Sequence, residues 1–112
     1  MTTRMLPMTR DAVIQTMVER IVQQFQPLRV ILFGSHARGS AVAESDVDLL
    51  VVLRDVSDKR RITVEIRRAL GDLPVSKDIL VTTPDEIARR GDLVGSVLRP
   101  ALHEGKVLYE QQ

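Results

Sequence analysis

The fold of this chain is decided by residues 30–53, which read VILFGSHARGSAVAESDVDLLVVL. Two apolar runs flank a link of small and polar residues, and runs of this length and composition predict buried strands. The link opens on Gly34 and Ser35 and closes on Asp46 and Asp48. We therefore expect two neighbouring strands, with the glycine at the end of the first and the aspartates at the entrance to the second.

The spacing of Asp46 and Asp48 predicts a cation site. In a strand, side chains two residues apart point to the same side, so these carboxylates would lie close together and repel. A hard divalent cation such as Mg²⁺ would relieve that repulsion. The Gly34-Ser35 turn would offer backbone N–H groups and a hydroxyl to phosphate oxygens. Each element alone is common in loops, but their order favours a site for a nucleoside triphosphate.

The same segment resembles the signature of the DNA polymerase beta-type nucleotidyltransferase superfamily. More narrowly, it resembles the minimal nucleotidyltransferase (MNT) proteins of prokaryotes. The positions that fit the family pattern are Gly34, Ser35, Arg38, Gly39, Ser45, Asp46, Asp48 and Leu49. The resemblance implies an α/β fold with a small mixed sheet flanked by helices, one domain over residues 1–112, ATP as substrate and two Mg²⁺ ions.

A third carboxylate is expected at Asp78. Two-metal nucleotidyl transfer needs another acid to bind a metal near the nucleophile or to accept its proton. Asp78 lies in Val75-Ser76-Lys77-Asp78-Ile79-Leu80-Val81, which reads as a buried strand. The resemblance implies a third acid on the strand that follows Asp-x-Asp. The alternative is an aspartate on an edge strand that faces solvent.

Nucleotide-binding roles are expected for three residues of the link. Ser35 would contact the β- or γ-phosphate, or cap a helix, and Gly34 would permit close approach. Arg38 would pair with the triphosphate or brace the aspartates. The arginine pairs at 60–61 and 67–68 are interpreted as a solvated helix face, with a phosphate site as the alternative.

Composition excludes several function classes. The chain has 112 residues with 44% hydrophobic and 3% aromatic residues, no cysteine and a net charge of +1. A thiolate metal site is therefore impossible, and neither charge nor aromatics favour nucleic-acid binding. No apolar run approaches the roughly 20 residues of a membrane span. We expect a cytoplasmic protein without membrane attachment.

The remaining pattern predicts alternating helices and strands. Thr9 is the expected cap of a first helix that ends at Pro27, and Thr83-Pro84-Asp85-Glu86 is the expected start of another, with Glu86 closing a capping box. Pro100 is expected to kink a helix over 93–104, and Gly71 to stop a helix over 58–70. The expected strands cover 28–33, 46–53, 74–82 and 106–110, with a turn or short helix at 35–41.

Three hypotheses for function remain open. The first is a Mg²⁺-dependent nucleotidyltransferase that moves AMP or another nucleotide to a hydroxyl of a partner protein. The resemblance implies that this partner is a helical HEPN-type toxin, and that the chain is the antitoxin of the pair, as a homo- or hetero-oligomer. The second is a non-catalytic antitoxin that acts by binding alone. The third is a transferase for a small hydroxyl compound, whose pocket a second subunit would complete.

Overall fold

The computed structural model describes residues 9–34, 37, 46–90 and 98–111. Most of the link, including the predicted turn at 35–41 and its Ser35 and Arg38, lies outside the described residues. The described part contains, in chain order, α1 (Arg10–Phe25), β1 (Arg29–Phe33), β2 (Val47–Val52), α2 (Lys59–Ala69), β3 (Lys77–Thr82), α3 (Pro84–Arg90), α4 (Leu98–Glu104) and β4 (Lys106–Glu110).

The strands form one mixed sheet in the order β3-β2-β1-β4. β1 runs antiparallel to both β2 and β4, whereas β2 and β3 are parallel. A parallel pair needs a crossover connection, and α2 supplies it. The expected α/β class, with a small mixed sheet flanked by helices, is confirmed.

Alternating side chains give the sheet two apolar faces, each covered by helices. One face, with Val30, Leu49 and Val51, packs against α1 and α2. Fully buried Met17 and Ile21 anchor α1 on this face. The other face, with Ile31, Leu50 and Val52, packs against Leu98 and Ala101 of α4 and against Ile87 of α3. The result is a helix–sheet–helix sandwich.

The helix boundaries follow local chemistry, with two departures from expectation. Thr9 caps α1 as predicted, since its side chain accepts a hydrogen bond from the Ala12 N–H at 3.1 Å. The helix ends at Phe25, because Gln26 takes a left-handed conformation with φ 50°. Gly71 is not a left-handed stop: α2 closes through tight bonds from the N–H groups of Leu70 and Gly71 to carbonyls three residues earlier.

Pro100 was also expected to kink a helix over 93–104, and residues 93–97 of that range lie outside the described residues. The described helix, Leu98–Glu104, contains Pro100 as its third residue and continues to Glu104. None of the helices in the described ranges combines the length and apolarity required to cross a membrane.

Candidate active site

Three strand ends converge at one end of the sheet and bring the predicted carboxylates together. Gly34 directly follows β1, and Asp46 directly precedes β2. Asp48 is paired with Phe33 across the antiparallel β1–β2 ladder. Asp78 is paired with Asp48 across the parallel β2–β3 ladder. Residues of one glycine turn and two strands therefore meet at a single edge, as the sequence predicted.

Register decides that Asp48 and Asp78 share a face. Directly paired residues of neighbouring strands project to the same side of a sheet. Leu50 and Val52, two and four residues beyond Asp48, both belong to the apolar cluster under α4, so Asp48 lies on that face. Asp48 is half-buried, whereas Asp46, just outside the strand, is exposed. If Asp78 lay on the opposite face, it could not act as a third acid beside Asp48. The observed register places both residues on the same face.

Gly34 is required where it stands for two reasons. Its φ of 74° lies in the left-handed region that side chains disfavour. In addition, a Cβ placed on Gly34 would overlap the Oδ2 atom of Asp48 and lie 3.1 Å from its Cγ. The glycine therefore allows the turn after β1 to lie directly against a carboxylate of the Asp-x-Asp pair.

Arg67, interpreted from the sequence as part of a solvated helix face, contacts this site, and sequence reasoning did not predict that contact. Its Nη2 donates to the Oδ1 atom of Asp78 at 3.2 Å, and both side chains are about half exposed, at 50% and 51%. Arg67 belongs to the last turn of α2, which packs on the other face, so the pair spans the open edge of β3. The spacing of residues along the helix does not predict this ion pair, because the pair depends on the path of residues 70–76 between α2 and β3.

The carboxylates suit a hard cation but are not gathered into a metal set. Oxygen ligands from aspartates match Mg²⁺. Within the described ranges, however, no three His, Cys, Asp or Glu side chains lie close enough together to hold a metal ion. Asp78 instead contacts Arg67. The three aspartates are thus chemically suited to Mg²⁺, but Asp78 forms an ion pair with Arg67.

A carboxyl with a lowered pKa, that of Glu86, lies at the other end of the sheet. Glu86 accepts hydrogen bonds from Lys59 Nζ at 2.6 and 2.8 Å and from Thr82 Oγ1 at 2.5 Å. These bonds, that of Lys59 above all, hold the pKa of Glu86 below its ordinary value. The contacts tie the starts of α2 and α3 together at the far end of β2 and β3, so this cluster is structural.

Comparison with known proteins shows the family of the chain. Residues 14–104 match the family model of the nucleotidyltransferase domain. This range includes Gly34, Asp46, Asp48 and Asp78, and it covers most of the 112 residues. The chain belongs to the nucleotidyltransferase domain family.

Individual proteins are similar to parts of the chain or share its fold. A candidate protein adenylyltransferase of Methanocaldococcus jannaschii is 54% identical over 33 residues, which are 30% of this chain and 22% of that protein. The match thus spans less than a quarter of the relative's length. Among solved structures, a candidate nucleotidyltransferase from Sulfolobus solfataricus has a TM-score of 0.63 at 20% identity, covering 88% of this chain and 78% of the other.

Two further structures with the same fold are described as toxin–antitoxin complexes. One, named MntA-HpeT, has a TM-score of 0.64 at 21% identity and covers 88% of this chain and 72% of the other. A toxin–antitoxin structure with AMP-PNP has a TM-score of 0.57 at 20% identity, with coverages of 88% and 74%. At these identities the likeness is one of fold.

Proposed function

We propose that this protein is a Mg²⁺-dependent nucleotidyltransferase that transfers AMP from ATP to a hydroxyl group of a partner protein. The observation that carries the proposal is the register of Asp48 with Asp78 beside the Gly34 turn. Carboxylates at one strand end next to a backbone turn suit a reaction in which a phosphoryl group is held and charge develops on two oxygens.

In the proposed reaction the acceptor oxygen attacks the α-phosphorus of ATP. A new oxygen–phosphorus bond forms, the bond to the β-phosphate oxygen breaks, and pyrophosphate leaves with the bond electrons. Asp46 and Asp48 would hold the cations on the triphosphate, and Asp78 would bind a cation near the acceptor or accept the proton that the acceptor hydroxyl loses. Bound Mg²⁺ would supply charge stabilisation for the attacking and leaving oxygens. Gly34 with Ser35 would bind the distal phosphates, and Arg38 would pair with them or with the aspartates.

The partner is proposed to be a helical HEPN-type toxin, with this chain as the antitoxin. Support comes from the MntA-HpeT complex, which shares the fold, and from the relative that carries the name of a protein adenylyltransferase. The structure with AMP-PNP supports an adenine nucleotide as the donor. A chain without cysteine suits the reducing cytoplasm in which such a pair would act.

Intact-mass spectrometry tests this proposal. Proteins encoded in the neighbouring reading frames are each co-expressed with this chain, purified with it, and incubated with ATP and Mg²⁺. We expect the partner to gain about 329 Da for each AMP transferred, because pyrophosphate is the leaving group. Asp48→Asn serves as the inactive control. Tight binding and toxin neutralisation without added mass would support a non-catalytic antitoxin instead. If the partner neither gains mass nor binds, the result would favour a small hydroxyl compound as the acceptor.

A further inference from the structure

Arg67 is the cation that the structure places against the candidate third acid. Its Nη2 lies 3.2 Å from Asp78 Oδ1, and the pair crosses the open edge of β3. Arg67 is exposed, and its helix neighbour Ile66 is the residue that fills the core. The contact therefore concerns the charge of Asp78.

We propose that Arg67 is a positioning residue that competes with the metal for Asp78 and keeps this carboxylate out of the metal set until a divalent cation displaces it. The inference rests on the proposed function, because it assumes that Asp46, Asp48 and Asp78 bind a common cation set. The inference adds that Arg67 controls when Asp78 can bind the same cations as Asp46 and Asp48.

Charge explains why such a competitor belongs at this position. Asp48 and Asp78 are register partners on one face, with Asp46 two residues away, so three like charges accumulate at one strand end. A guanidinium stays protonated at all working pH values and neutralises one of them. The same positive charge repels an arriving Mg²⁺, and its hydrogen bond holds Asp78 towards the sheet edge. Both effects weaken cation binding.

The exposure of the pair makes the competition reversible. Side chains that are about half exposed form ion pairs that water and salt weaken, with typical strengths below about 1 kcal/mol. Mg²⁺ can therefore displace Arg67 without unfolding any element. Removal of Arg67 should tighten cation binding by about twofold to fivefold, the change that corresponds to such a pair.

Arg68 provides a matched control on the same helix. It is the next residue of α2, is exposed like Arg67, and carries the same charge in the same last turn. Among the described residues, Arg67 donates a hydrogen bond to Asp78 and Arg68 does not. Arg68→Gln therefore changes the net charge equally and leaves the Asp78 contact in place.

Calorimetric titration of the metal-free protein with Mn²⁺, in the absence of nucleotide, tests the inference. We expect Arg67→Gln to lower the Kd by about twofold to fivefold relative to both the wild type and Arg68→Gln. In an Asp78→Asn background, Arg67→Gln should lower the Kd no more than Arg68→Gln does, because only the general charge effect is left. The difference between Arg67→Gln and the wild type should also shrink at high salt, since exposed pairs are screened.

The outcomes separate the inference from the proposed function. If Arg67→Gln equals Arg68→Gln, or binds Mn²⁺ more weakly, Arg67 does not compete for Asp78. In that case a loss of Mn²⁺ binding in Asp48→Asn would leave the proposed function standing. If Asp48→Asn binds Mn²⁺ as the wild type does, or the wild type and Arg67→Gln both fail to bind, the inference is overturned. Unchanged binding in Asp48→Asn also contradicts the proposed metal site.

Discussion

At the scale of single residues, Gly34 and Asp48 form the contact that defines the site. Gly34→Ala should destabilise the protein by about 1–3 kcal/mol, because its φ is positive and the new Cβ would collide with the Asp48 carboxylate. The free energy of unfolding from urea denaturation measures this effect. Gly71→Ala is the control: its added Cβ would meet only backbone oxygens at 3.5 and 3.6 Å. Equal stability of both variants would contradict the predicted role of Gly34.

The paired aspartates lead to a second prediction at this scale. Asp46→Asn and Asp48→Asn should each reduce nucleotidyl transfer by more than about 100-fold, because an amide is a poor ligand for Mg²⁺. The fold should persist, and without metal the melting temperature should stay level or rise, since one charge of a repelling pair is gone. Transfer assays and thermal melts measure the two effects. Near-normal transfer by either variant would exclude the proposed metal site.

At the scale of secondary-structure elements, most boundaries could be predicted and several contacts could not. Local signals suffice for Thr9 at the start of α1 and for the strand that follows Asp46. Glu86 shows the limit: the cap at Thr83 is present, with the Glu86 N–H bonded to its hydroxyl at 3.2 Å. The Glu86 side chain, however, turns to Lys59 and Thr82 instead of closing a capping box.

The same limit applies to the candidate site. The positions of Asp46, Asp48 and Asp78 on their strands could be predicted, because strand periodicity and the family pattern are both read from short stretches of sequence. The ion pair between Arg67 and Asp78 could not, because it depends on how far the chain turns between α2 and β3. The strand was expected from residue 74, whereas β3 begins at Lys77 after a series of turns. Tertiary geometry decides such contacts, and no local signal encodes them.

The Glu86 cluster makes a prediction about pH. Because the folded-state pKa of Glu86 lies below its ordinary value of 4.5, its stabilising contribution is complete above that value and is lost as pH falls through the folded-state pKa. Thermal melts of the wild type and Glu86→Gln from about pH 7 to about pH 3 should therefore converge as the solution becomes acidic. Glu65→Gln, which alters an exposed pair with Arg61, is the control. A constant gap between wild type and Glu86→Gln would contradict this account.

At the scale of the whole molecule, nucleotide binding should stabilise the fold. ATP with Mg²⁺ at about 100 times its Kd should add about 2.7 kcal/mol and raise the melting temperature by about 10 °C. Asp48→Asn should lose this shift. Asp78→Ala should keep most of it while losing transfer, since the nucleotide carries its own cation. Differential scanning fluorimetry measures all three, and a full shift in Asp48→Asn would contradict the proposed nucleotide site.

The position of β4 beside β1 has a consequence for synthesis of the protein. β4 is made last among the four strands, yet it covers the edge of β1, and the Gln111 N–H closes the sheet on the Leu28 carbonyl at 2.8 Å. While the ribosome is still adding residues, the apolar run Val30–Phe33 therefore has an open edge. Open apolar edges invite pairing with other nascent chains. The growing chain is most prone to aggregate in the interval between the appearance of β1 and the arrival of β4.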